Sequence, residues 1–218
     1  MNIIEHQTRE KEVVDSITEI ATEGNIIFLR DDKGNDRISQ RIQMIIAFTV
    51  MDVMANYWYE YLGKSTNKPS EKTCLWYETF CMTDENRIYR KDNQWKLFNS
   101  SRMYKFRNSL VHFWGLSETT DGTYISLAPN DMPDSEKNKL IEAFKNRGSN
   151  TIIIKPSDFY TLVKEGGIVM LNSWVEAIRV AQKNQSKTEE YIKNIERVWA
   201  KFKREGAVKI YKPKEQLK

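Results

Sequence analysis

The residues whose types and spacing suit chemistry lie in one segment, KFRNSLVHFWG at 105–115. It holds Arg107, Asn108 and His112, and His112 is one of 2 histidines in the chain. The other, His6, sits among the first residues, where chain ends commonly fray. An imidazole, with an ordinary pKa near 6.5, takes or gives a proton at neutral pH. A guanidinium keeps its charge and offers a fork of N–H donors that matches a phosphate or a carboxylate. An amide four residues before a histidine meets it on one helix face and can hold the imidazole in one tautomer. Together these groups suit proton transfer beside a bound oxyanion. The same residues also suit a structural role, because helical histidines are mostly satisfied structural groups and the spacing alone is a weak motif.

The apolar spacing around the segment predicts a helix, opened by Asn99, Ser100 or Ser101 and ended by Gly115 and the run SETTDG. Counted from Met103 at about 100° per residue, Phe113, Phe106, Leu110 and Trp114 form an apolar arc that extends to Val111 and Tyr104. Asn108, His112, Lys105 and Ser109 form a polar stripe between about 140° and 240°. Arg107 falls at about 40°, inside the apolar arc. A guanidinium there must snorkel to water, meet a carboxylate, or face a partner or ligand.

The elements around this helix follow from periodicity. Val13, Ile17, Ile20 and Ala21 predict a helix ended by Gly24-Asn25. The apolar run IIFL leads into DDKGND, a surface turn rather than a calcium loop, because no glutamate occupies the last ligand position. From Ile38, Ile42, Ile45, Ile46, Val50, Val53, Tyr57, Trp58 and Tyr61 predict a long helix stopped by Gly63. Ser70 is the expected cap of a helix carrying Leu75, Trp76 and Phe80, whose aromatic stripe reads as core. A less regular stretch then runs to about Asn99. TYISLA at 123–128 and TIIIK at 151–155 predict two short strands that can pair. Between them a charged helix, opened by Asp134 or Ser135, is expected to turn Leu140, Ile141 and Phe144 inward. Pro156-Ser157-Asp158 opens another helix, which Gly166-Gly167 is expected to bend or break. Leu171, Trp174, Val175, Ile178 and Ala181 keep helical spacing beyond that point. Ser186 and Glu189 form an expected capping box for a last helix with Tyr191, Ile195, Val198, Trp199 and Phe202 inward. The expected fold is mainly α, a helical bundle with a small two-stranded β element inserted after the motif helix. It spans one domain over 1–205, followed by a basic C-terminal tail at 206–218.

Composition bounds the function. The chain has 218 residues, 40% hydrophobic and 29% charged, enough to bury one substantial core. Its net charge of +4 permits an anionic partner without requiring one. The excess is concentrated from Arg197 to Lys218, where eight basic residues meet only Glu205 and Glu215. That stretch reads as a solvated helix end and tail, or as a phosphate-steering element. The two cysteines, Cys74 and Cys81, form no CxxC pair, so neither a zinc site nor a disulfide framework is indicated. Both read as buried thiols of a reducing compartment. The start, MNIIEHQTREKE, lacks the apolar core of a signal peptide, and no window is apolar enough to cross a membrane. A cytoplasmic protein with no membrane partner is expected.

FRNSLVHFWG resembles the signature of the HEPN superfamily (higher eukaryotes and prokaryotes nucleotide-binding domains). That signature is an arginine, a polar residue that is often asparagine, a few apolar residues and a histidine, late in a helical bundle. Arg107, Asn108 and His112 stand at those places with a four-residue gap. The motif match covers about ten residues, and the helical architecture covers most of the chain more loosely. The resemblance implies a metal-independent endoribonuclease that works as a homodimer, with two motifs facing one scissile phosphate. It implies attack by the ribose 2′-hydroxyl, leaving a 2′,3′-cyclic phosphate and a 5′-hydroxyl. His112 is then general base or acid, Arg107 stabilises charge on phosphorus, and Asn108 orients the site. Lys105, Ser109 and Tyr104 support RNA binding. No cofactor or metal is implied, and no carboxylate cluster for Mg²⁺ accompanies the motif. Family habit adds a toxin or phage-defence setting and an antitoxin or regulatory partner. Some family toxins carry a modifiable tyrosine two residues after the histidine, and Trp114 stands there instead. The alternatives are a non-catalytic HEPN-like module that binds RNA, nucleotide or a protein partner, and a structural helical protein in which Arg107 and His112 pair with carboxylates.

Overall fold

The computed structural model describes residues 3–23, 38–64, 66, 68–113 and 122–205. IIFL, DDKGND, Trp114, most of the SETTDG run and the basic tail lie outside the described residues. So do the side chains of Ile20, Ala21, Val111, His112 and Phe113.

The chain is mainly helical, as its periodicity predicts. Helix α1 (Ile3–Glu23) precedes α2 (Gln40–Tyr61). Helix α3 (Pro69–Trp76) runs directly into one π turn, Tyr77–Cys81. Two short helices, α4 (Arg87–Lys91) and α5 (Gln94–Leu97), occupy the less regular stretch. The motif helix is α6 (Ser100–Phe113), followed by β1 (Thr123–Leu127), α7 (Asp134–Asn146) and β2 (Asn150–Ile154). Helices α8 (Pro156–Lys183) and α9 (Gln185–Glu205) complete the described chain. None of these helices is long and apolar enough to cross a membrane.

Helix α2 is the axis of the core. It packs against α3, α6, α8 and α9, which requires apolar residues around most of its circumference. Met44, Ala47, Phe48, Met51, Met54 and Ala55 are all essentially inaccessible. Phe48 lies 6.2 Å from Phe106 of α6 and 4.8 Å from Phe159 of α8, centroid to centroid. Phe98, just before α6, lies 6.0 Å from both Phe106 and Phe159. Each such ring contributes roughly 1.5–3 kcal/mol by leaving water. The cluster therefore fixes the start of α6 against α2 and α8.

The two strands pair in parallel, Thr123 opposite Asn150 through Leu127 opposite Ile154, with α7 as the crossover. Parallel pairing explains why β2 is buried from Thr151 to Ile154, since both its faces are covered.

Several expectations are corrected. Helix α8 runs unbroken through Gly166-Gly167. A Cβ on Gly166 would lie 2.8 Å from Cys81 Sγ and 3.0 Å from Trp76, so the glycines permit close packing rather than a bend. Pro69 stands in the first turn of α3 after Lys68, and Ser70 is already helical. Proline is suited there because the first-turn N–H it lacks has no helical acceptor. At α9, Asn184 Oδ1 accepts from the Ser186 N–H at 3.1 Å, so the cap is Asn184 rather than a Ser186–Glu189 box. On α7, Leu140 and Phe144 are exposed, and the buried residue is Lys137. Its ammonium reaches Asp92 at 2.8 Å, which lets a lysine take the inward position. Cys74 is only half-buried, because its Sγ sits beside the Ser100 carbonyl at the entry to α6, whereas Cys81 is buried in the core.

Candidate functional site

Helix α6 starts where expected. Asn99 Oδ1 accepts from the Arg102 N–H at 3.0 Å, satisfying a first-turn donor. Met103, Phe106 and Leu110 then point into the core and are inaccessible. This anchors the helix's rotation and places the next face, Tyr104, Arg107 and Asn108, at the border of the core.

Arg107 meets a carboxylate there. Its Nε donates to Asp52 Oδ2 at 3.1 Å, and its Nη2 donates to the same oxygen at 2.6 Å. Its Nη1 donates to Asn108 Oδ1 at 3.1 Å. A guanidinium only donates, so the Asn108 amide must present its oxygen and keep its two N–H donors for other partners. The Tyr104 ring lies 5.5 Å from the guanidinium carbon, within cation–π range. The other Asp52 oxygen, Oδ1, accepts from Thr73 Oγ1 at 2.7 Å. Three helices, α2, α3 and α6, thus meet at one charge pair that stays partly accessible, 19% for the Arg107 side chain and 23% for Asp52.

Of the other residues singled out by sequence, Lys105 is exposed and Ser109 half-buried. His112 lies in α6 one turn after Asn108, and its side chain is outside the described residues. The structure therefore brings together Arg107, Asn108 and Tyr104, while the contacts of His112 are not part of the description.

Two features escaped the sequence reading. Asp52 is the only charged residue between Arg41 and Glu60, and that isolation in an apolar helix was a usable signal. The second is a basic stretch leading into the motif. From residue 87 to 107, Asp92 is the only acid among Arg87, Arg90, Lys91, Lys96, Arg102, Lys105 and Arg107. Arg87 pairs with Glu165, and Arg102 donates to the Leu97 carbonyl at 2.5 Å. Arg90, Lys91, Lys96 and Lys105 are exposed.

The cysteines offer no nucleophile at neutral pH. Burial, with Glu78 nearby, pushes the Cys74 thiol up to about 11, and burial raises Cys81 well above its ordinary value. Among the described residues, no group of three or more His, Cys, Asp or Glu side chains is arranged to hold a metal ion. A cleft of about 860 Å³ lies elsewhere, between α4, α5 and α7. The Lys137–Asp92 ion pair lies along it, and Arg107 does not line it.

No protein-family model, curated protein or solved structure matches this chain. The likeness to the HEPN superfamily therefore stands on the motif residues and the helical architecture alone.

Proposed function

We propose that this chain is a HEPN-type, metal-independent endoribonuclease that acts as a homodimer, with Arg107, Asn108 and His112 as its working residues. The observation that carries the reading is the held guanidinium of Arg107, partly accessible on the helix that carries His112. A 2′-hydroxyl gives its proton to one His112 imidazole as its oxygen attacks phosphorus. The 5′-oxygen leaves and takes a proton from a second acid, His112 of the partner subunit. Arg107 stabilises the charge that gathers on the phosphoryl oxygens. The exposed lysines and arginines before the motif supply the attraction that any RNA partner requires.

The same pairing supports a second reading. An arginine already satisfied by Asp52 and Asn108 suits a non-catalytic module in which the motif binds RNA without cutting it. Cleavage of a mixed cellular RNA pool in excess EDTA separates the two. The nuclease reading expects wild type to leave 2′,3′-cyclic phosphate ends and His112→Ala to leave the pool intact, with both proteins dimeric by sedimentation. Intact RNA in both samples, with RNA still bound, selects the module.

A further inference from the structure

We propose that Asp52 is the positioning residue of the motif arginine, and that the two guanidinium hydrogens it leaves unused form a subsite for a phosphodiester oxygen. This rests on the RNA reading above, but makes separate demands.

An arginine fork carries five N–H hydrogens. Asp52 Oδ2 takes the Nε hydrogen and one from Nη2. Asn108 takes one from Nη1. One hydrogen remains on each Nη nitrogen, and neither meets an acceptor among the described residues. A charged donor pair that is partly buried, yet still reachable, calls for an anionic acceptor.

The hold is specific as well as strong. Thr73 Oγ1 fixes the far oxygen of Asp52, so the carboxylate cannot rotate to take both sides of the fork. Tyr104 supports the guanidinium by its ring. Arginine otherwise has four freely rotating side-chain bonds, and a site that stabilises developing charge works best when its donors are already in place. Asp52 therefore acts through Arg107 and touches no substrate. Its carboxylate also offsets the charge of Arg107, so removing that charge should not weaken attraction for RNA.

The test uses the full chain and an uncleavable 2′-O-methyl oligonucleotide for binding, with an all-ribose oligonucleotide of the same sequence for turnover. Asp52→Asn should bind the 2′-O-methyl strand as tightly as wild type or a few-fold more tightly, while kcat on the ribose strand falls at least tenfold and KM does not rise. Thr73→Val should lower kcat in the same direction with binding unchanged. Arg107→Ala should weaken binding and reduce its salt slope by about one. Equal binding by Arg107→Ala, or no binding by wild type, overturns the subsite. Asp52→Asn leaving binding and turnover unchanged overturns the positioning role. So does a loss of both in step with a lowered Tm, which marks a mere brace between helices. Absence of cleavage by wild type sinks the nuclease reading alone, and the binding arm still decides the subsite.

Discussion

Arg107 on α6 and Asp52 on α2 meet through two donors on one oxygen, at 3.1 and 2.6 Å. This resolves why a guanidinium stands in an apolar arc: its charge is met within the chain, so a dimer interface is not needed to explain it. The two partners are not equivalent. Without Arg107, Asp52 keeps its bond from Thr73 and its access to water. Without Asp52, Arg107 keeps only a neutral amide acceptor at the border of the core. Asp52→Ala should therefore destabilise the fold more than Arg107→Ala. A double-mutant cycle by urea unfolding should give a coupling of about 1–2 kcal/mol, above the range of exposed pairs. Coupling near zero would mark the pair as solvent-screened and remove its claim to hold the arginine.

A second prediction concerns α1, which docks on α9 through titratable groups. Glu10 is buried and accepts from the Tyr191 hydroxyl. His6 Nδ1 lies 2.8 Å from Glu196, which Arg9 also contacts. Burial pushes the Glu10 carboxyl up from 4.5 to about 7, against the smaller opposing effect of the Tyr191 bond. A raised carboxyl favours the folded state while protonated, so its contribution is complete below about pH 4.5. It shrinks as the unfolded chain ionises first, and is gone once pH passes about 7. The linked loss is on the order of 3 kcal/mol at most, from about 1.4 kcal/mol per pKa unit. Urea unfolding of Glu10→Gln should lack this part of the decline between pH 5 and 8. A variant with the same pH slope as wild type would rule Glu10 out as its source.

These features differ in how far they could be read from residues alone. Repeats of apolar residues at helical spacing exposed α2, α6, α8 and α9, because burying one stripe is what makes a helix stay in a fold. Alternation at 123–128 and 151–155 revealed the strands, but their parallel pairing depends on α7 crossing between them, which no local pattern states. Arg107 stood out by its angle around α6. Its partner did not, since the pairing of Asp52 with residue 107 is set by how two helices cross. Lys137 misled for a related reason: long lysines bury when a carboxylate waits, and Asp92 lies far away in sequence.

The paired glycines of α8 lead to a third prediction, in which neighbours respond differently. A Cβ at Gly166 would meet Cys81 Sγ at 2.8 Å and the backbone oxygen of Phe80 at 3.3 Å. A Cβ at Gly167 would meet only the end of Met54, at 2.9 Å. A methionine terminus can turn aside, whereas the π turn cannot easily move. Gly166→Ala should cost about 1–3 kcal/mol by overpacking. Gly167→Ala should be near neutral, because alanine gains up to about 1 kcal/mol of helix propensity over glycine. Thermal unfolding of the two variants checks the order, and a greater loss at Gly167 would reverse the argument.

The last prediction joins the end of α2 to α9. Arg197 donates from Nε to the Glu60 carbonyl at 3.2 Å and from Nη2 to the Tyr61 carbonyl at 3.0 Å. It thereby satisfies two last-turn acceptors that the helix leaves open. Asn194 also accepts from this guanidinium, so the group is held from both helices. Gly63 follows with φ of +64°, and a Cβ there would lie 2.7 Å from the Arg197 guanidinium carbon. Gly63→Ala thus carries two penalties, a left-handed backbone of roughly 1 kcal/mol and a clash with a side chain that is not free to retreat. Arg197→Gln shortens and uncharges the group, losing about 1–2 kcal/mol of bonds to carbonyls. In the double variant the clash disappears, so its stability loss should be smaller than the sum of the single losses by at least about 0.5 kcal/mol. Strict additivity in urea unfolding would show that Arg197 does not press on Gly63.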